Sequence, residues 1–137
     1  MKALLVVAHG SRREASNQEV RRLCERTRKE DGEGFDLVEA AFLELAEPSI
    51  GEGIARCVER GATEIVVLPY FLSAGRHVTQ DVPAEVERAR RRHPHTAIRL
   101  APHLGAAPAL AQLVVQLAGG CSDGDSDERS PPGRDRP

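Results

Sequence analysis

Two short segments put a histidine just past an apolar run: Val6-Val7-Ala8-His9-Gly10-Ser11-Arg12, and Leu68-Pro69-Tyr70-Phe71-Leu72-Ser73-Ala74-Gly75-Arg76-His77-Val78. A third apolar run, ending at Phe42, is followed by Glu44. Two imidazoles and one carboxylate form a borderline ligand set. It suits Fe(II), Co(II), Ni(II) or Zn(II) better than Mg(II) or Cu(I). No HExxH helix is present, which argues against a zinc protease. Ser11 between a strand and a helix invites comparison with serine hydrolases. However, Ala8-His9-Gly10-Ser11-Arg12 is not GxSxG, and Ser11 and Glu14 have the spacing of a capping box.

Residues 3–8 are continuously apolar, as expected of a strand buried on both faces of a parallel sheet. Ser11 then begins a helix with Val20, Leu23 and Cys24 on its apolar face, running to about Lys29 before Gly32 and Gly34. A second strand spans Leu37 to Phe42. Pro48 suits the first turn of a second helix, buried through Ile50, Ile54 and Val58 and ended by Gly61. Ile65 to Leu68 form a third strand, and Pro69 to Arg76 a loop. A third helix is capped near Asp81 and stopped by His93-Pro94. Ala97 to Leu100 make a fourth strand, and Leu110, Leu113, Val114 and Leu117 belong to a last helix.

Four repeated βα units predict an α/β fold: a four-stranded parallel sheet in order 2-1-3-4, with helices on both faces, over residues 1–118. The strands then all exit on one edge, where ligands of such sheets bind. His9, Glu44 and His77 leave three adjacent strands at that edge. Singly, each has an ordinary role, since His9 could cap a strand, His77 could start a helix and Glu44 could be solvated. Their shared location favours one metal-handling site. His103 follows the fourth strand on the same edge and is a reserve candidate for contacting substrate. His93 and His95 belong to the opposite pole. Arg12 and Arg13 fall in the first turn of the first helix, where positive charge opposes the helix dipole. That placement points to an anionic ligand, with solvation beside Glu14 as the alternative, and Arg76 beside His77 adds to it.

At 137 residues and 40% hydrophobic content the chain makes one ordinary domain. Its net charge of -2 is spread along the sequence, so no nucleic-acid partner is expected. Cys24, Cys57 and Cys121 show no CxxC spacing, and an odd count fits a reducing compartment. No apolar stretch is long enough for a bilayer, and Ala3 to Ala8 is a buried strand rather than a signal peptide. A cytoplasmic location and no membrane partner are expected. Residues 119–137 are polar, rich in Gly, Pro, Asp and Ser, and read as a disordered tail.

The motifs resemble the small, single-domain sirohydrochlorin chelatases, class II enzymes of the cobalt and iron chelatase type, over residues 1 to about 117. The resemblance rests on His9-Gly10-Ser11-Arg12 with Asn17 downstream, on Phe42-Leu43-Glu44-Leu45-Ala46-Glu47-Pro48-Ser49, and on Pro69 to Val78 with Asp81-Val82-Pro83. It implies metal-binding and catalytic roles for His9, Glu44 and His77. The implied reaction inserts a divalent metal (Co2+, Fe2+ or Ni2+) into sirohydrochlorin without ATP, in cobalamin or siroheme-type biosynthesis. The metal is substrate, and no separate cofactor is expected. Ser11, Arg12, Arg76 and His103 become candidate contacts to the carboxylates of the tetrapyrrole. Larger family members hold two such domains, so a homodimer is expected here. Two features depart from the family pattern: the tail lacks a histidine-rich tract or iron-sulfur motif, and His103 stands where an apolar residue or proline is expected. A non-enzymatic metal or tetrapyrrole carrier would use the same site.

Overall fold

The computed structural model describes residues 1–31 and 34–121. The elements are β1 (Lys2–Ala8), α1 (Glu14–Asp31), β2 (Leu37–Phe42), α2 (Ile50–Glu59), β3 (Glu64–Pro69), α3 (Val82–Arg92), β4 (Ala97–Leu100) and α4 (Leu110–Gly119). A π turn, His77–Asp81, leads into α3, and a 3-10 turn, Leu104–Ala106, follows β4. The four strands pair in the order β2-β1-β3-β4, every pair parallel. Both the order and the direction are those predicted. The chain divides into two compact units, Met1–Ala106, which holds the whole sheet, and Ala107–Pro137, whose described part runs to Cys121 and contains α4.

Strand alternation sorts the core into two layers. Ala3, Leu5 and Val7 of β1 join Ile50, Ile54 and Cys57 of α2 and Val82, Val86 and Ala89 of α3 on one face. Leu4, Val6 and Ala8 turn to the other, against Val20 and Cys24 of α1 and the fully buried Phe42. A strand covered on both faces must be apolar at every position, which explains the unbroken run in β1. Gly53 in α2 lies against β1 and β2. A Cβ there would come within 3.1 Å of the Ala41 side chain and 3.2 Å of Leu5, so the small residue permits close helix-to-sheet packing.

Helix starts differ from the sequence expectation more than strands do. The Ser11–Glu14 capping box does not form, because α1 begins at Glu14 and Arg12 and Arg13 precede it, both exposed. Ser11 Oγ accepts the Arg13 N–H at 3.0 Å instead. Glu14 takes Asn17, Gln18 and Arg21, and the Asn17 hydrogen bond, followed by that of Arg21, holds its carboxyl below the usual range. The dipole argument for Arg12 and Arg13 therefore does not hold, since neither lies inside the helix. Pro48 also lies outside its helix: its carbonyl accepts the Phe42 N–H at 2.9 Å, and α2 starts with a capping box between Ser49 and Glu52. Asp81 makes no cap bond to α3. Gly119 belongs to α4, while the tail expectation otherwise falls mainly on residues 122–137, outside those described.

Among the described residues, no helix is long and apolar enough to cross a membrane. Cys24 and Cys57 are buried and Cys121 is exposed, all three as free thiols. Burial pushes the Cys24 thiol up to about 12 and the Cys57 thiol up to about 11. Because the thiolate is the reactive form, DTNB should modify Cys121 quickly in the native protein at neutral pH and reach Cys24 and Cys57 only after unfolding. Rapid labelling of all three thiols in the folded protein would contradict this packing.

Candidate metal centre

The sheet register builds the first half of the site. Past the end of β1, the Ala8 carbonyl accepts the Leu43 N–H at 3.0 Å and the His9 carbonyl accepts the Glu44 N–H at 3.1 Å. The β1–β2 ladder ends at the Ala8–Phe42 pair, and two consecutive N–H groups beyond it turn toward the first strand and tie Glu44 to His9. Their side chains meet, with His9 Nε2 3.1 Å from Glu44 Oε2, and both are substantially exposed.

Gly10 makes this approach possible. Its φ is +97°, and a Cβ built there would lie 1.8 Å from the Glu44 carbonyl oxygen. Only glycine meets both conditions without displacing the backbone. Asn17, the one buried polar residue among those described, then fastens the exit from this turn. Its Oδ1 accepts the Ser11 N–H at 3.0 Å and its Nδ2 donates to the Ser11 carbonyl at 2.8 Å. This bond pair takes up the Ser11 backbone and anchors the His9-Gly10-Ser11 turn to α1.

His77 arrives from the third strand. The β3 exit is carried through Tyr70, Phe71 and the π turn, and the His77 ring centroid comes within 4.9 Å of the His9 ring in an edge-on arrangement. Phe71 lies beside His77 at 5.9 Å. His77 Nδ1 is 2.7 Å from Asp81 Oδ2. A cleft of about 240 Å³ opens along Glu44, His77, Asp81, Glu85 and Arg88. A larger cavity of about 370 Å³, lined by Arg21, Glu39, Arg56 and Arg60 among others, contains no histidine and lies away from this chemistry.

Hydrogen bonding decides what the rings can do. The Gly10 carbonyl, 3.0 Å from His9 Nδ1, can only accept, so that nitrogen carries a proton. In the neutral ring, Nε2 then presents a lone pair to the Glu44 carboxylate. Two acceptors at 3.1 Å are held together only by a positive charge between them, either a proton or a metal ion. Among the described residues, no three His, Cys, Asp or Glu side chains already converge as a ready metal-holding group. The centre consists of two pairs that share His9, and closing a third ligand onto one cation requires side-chain rotation.

His9, Glu44 and His77 are therefore brought together, as the strand order predicted. The other candidates stand further out. Ser11 is tied up by Asn17 and the turn, Arg12 is exposed, and the exposed Arg76 donates to Gln80 Oε1 at 3.4 Å. His103 follows β4, beyond β3, with its carbonyl accepting the Ala106 N–H, and is not among the side chains these three touch. His93 and His95 lie between α3 and β4 at the far pole. Asp81, expected from the sequence to cap a helix, joins the site instead. Its separation of four residues from His77 was the available signal, since that spacing brings side chains together on a helical turn.

The profile of the CbiX family matches residues 3–119. Over 128 residues the chain is 34% identical to the chloroplastic sirohydrochlorin ferrochelatase of Arabidopsis thaliana, covering 91% of this chain and 56% of that protein. Among solved structures, a CbiX protein from Marinobacter aquaeolei VT8 superposes with a TM-score of 0.73 at 34% identity, covering 87% of this chain and 95% of that one. The sirohydrochlorin chelatase SirB from Bacillus subtilis subspecies spizizenii, solved in complex with cobalt, gives 0.76 at 33% identity, covering 86% and 50%. The chain spans about half the length of the curated relatives it matches. With a profile match over almost all of its ordered elements and the same fold in structures of a third identity, the chain belongs to the CbiX family.

Proposed function

We propose that this chain is a metal chelatase that inserts Co2+, Fe2+ or Ni2+ into sirohydrochlorin without ATP. The observation that carries the reading is the meeting of His9, Glu44 and His77 at the exits of three adjacent strands. Relatives named as sirohydrochlorin ferrochelatases and cobaltochelatases support it. The metal enters as substrate. Neutral His9 and His77 with ionised Glu44 hold the partly dehydrated cation, since a protonated imidazole cannot coordinate. Metallation displaces two pyrrole protons: a histidine nitrogen that has just released the metal is free to accept one, and the other passes to solvent water, with Glu44 as a relay.

Ser11, Arg12, Arg76 and His103 are proposed to face the macrocycle's carboxylates, with the two arginines as charge partners. Macrocycle distortion accelerates the reaction only where the distorted form is bound more tightly than the flat one. A cleft of about 240 Å³ is small for a tetrapyrrole, so a second copy of the chain is proposed to supply the missing wall, in a cytoplasmic homodimer.

The test is a spectral assay of purified protein with sirohydrochlorin and each of Co2+, Fe2+ and Ni2+. Metallation above the spontaneous rate with at least one ion is expected, and the active species should sediment as a dimer. Binding of metal and macrocycle without any acceleration would reject the enzyme and leave a carrier. Turnover by a pure monomer would reject the shared cleft.

A further inference from the structure

The strand exits account for His9, Glu44 and His77 but not for the carboxylate behind His77. Asp81 directly precedes α3 with a helical backbone, φ −70° and ψ −50°, because the π turn runs straight into the helix, so its side chain is not called on to cap a first turn. It makes no cap bond. Its Oδ2 lies 2.7 Å from His77 Nδ1 instead. The two residues are the ends of the π turn, which is closed by the Val82 N–H donating to the His77 carbonyl. Single turns of this width are rare and are frequent at functional sites. Thr79 Oγ1 donating to the Gly75 carbonyl at 3.1 Å ties the same turn down.

An ionised carboxylate only accepts, so the His77 nitrogen facing Asp81 carries the proton. His9 differs, because it has an acceptor at each nitrogen, the Gly10 carbonyl at Nδ1 and the Glu44 carboxylate at Nε2. His77 therefore keeps the proton on Nδ1 and leaves Nε2 as the donor atom for a cation. An imidazole in water favours the opposite tautomer, so the His77 ring is held in this state by its hydrogen-bond partner.

We propose that Asp81 is a positioning residue that holds His77 in its Nδ1–H tautomer and fixes the ring, leaving the Nε2 lone pair for the metal. The inference rests on the proposed function, in that the cation it serves is the chelatase's metal substrate. A carboxylate behind a metal-binding histidine typically changes metal affinity or activity by about 10–100-fold.

Nitrogen NMR of the histidine-labelled, metal-free protein, under alkaline conditions where the rings are neutral, reads the tautomer directly. The unmodified protein is expected to show His77 as Nδ1–H. Asp81→Ala should move it to Nε2–H and weaken Co2+ binding, titrated with the metal alone, by about 10–100-fold. Asp81→Asn, whose side-chain carbonyl can still accept the proton, should fall between the two. An Nε2–H ring in the unmodified protein overturns the inference, as does an Asp81→Ala protein that keeps either the tautomer or the Co2+ affinity. The tautomer of the unmodified protein is decisive even if Asp81→Ala does not fold. A protein with the expected tautomer and Co2+ response that fails to metallate sirohydrochlorin rejects the proposed function alone, and one that metallates with an Nε2–H ring rejects this inference alone.

Discussion

Metal insertion should fall to the spontaneous rate in His9→Ala and in His77→Ala, while both proteins remain folded. Each ring stands at an open crevice and is partly exposed, so its removal takes little packed apolar volume from the molecule. Such substitutions typically shift stability by less than about 1 kcal/mol. The chemistry is affected far more. Loss of either imidazole removes one of the two Nε2 donors, and loss of His9 also dissolves the contact shared by both pairs. Glu44→Gln should be nearly as damaging, because an amide keeps the shape but cannot offset the charge of a divalent cation. His93→Ala and His95→Ala, at the opposite pole, should metallate normally. Circular dichroism and the spectral assay together decide the matter. Activity retained without His9 or His77, but lost without His93 or His95, would place the site at the wrong end of the sheet.

Gly10→Ala should damage fold and site together, the reverse of the histidine variants. The added methyl would have to occupy a point 1.8 Å from the Glu44 carbonyl oxygen, on a backbone at φ +97° that side chains rarely adopt. Neither difficulty is relieved by rotating a side chain, because the obstacle is backbone. The turn after β1 must move away from the exit of β2, breaking the bond from the Glu44 N–H to the His9 carbonyl. Overpacking and a strained φ each cost roughly 1–3 kcal/mol. The expected result is a midpoint of denaturant unfolding well below that of the parent, with Co2+ affinity reduced in the fraction that folds. An alanine variant matching the parent in both measurements would show that this contact is not rigid.

Strands are legible in the sequence because burial on both faces writes itself into an unbroken apolar run, and no alternative structure offers Leu4 to Ala8 a better environment. Leu37–Phe42 and Ala97–Leu100 appear where their apolar patterns and flanking turns put them. Strand order puts His9, Glu44 and His77 at three adjacent exits on one edge. The caps are harder, since a cap is a weak preference that a partner only four to six residues away can override. Asn17 engages the Ser11 backbone, the Pro48 carbonyl is drawn to Phe42 in β2, and His77 captures Asp81. His103 does follow a strand on the expected edge, but β3 separates that strand from the one that ends at His9. Edge location is thus legible from topology, whereas side-chain contact depends on which strands are neighbours and how each exit turns.

Two backbone bonds just past the strand ends, from Leu43 to Ala8 and from Glu44 to His9, hang the His9–Glu44 pair on the β1–β2 register, with the Gly10 turn supplying the room. One residue gained or lost within Leu37–Phe42 shifts that register and carries Glu44 away from the His9 carbonyl. A change of length between α1 and β2, at the other pole, leaves the ladder as it is. Over evolutionary time the connection there is free to drift in length and composition. The strands inherit no such freedom, and descendants that keep the His9–Glu44 contact must keep the residue count from Leu37 to Glu44.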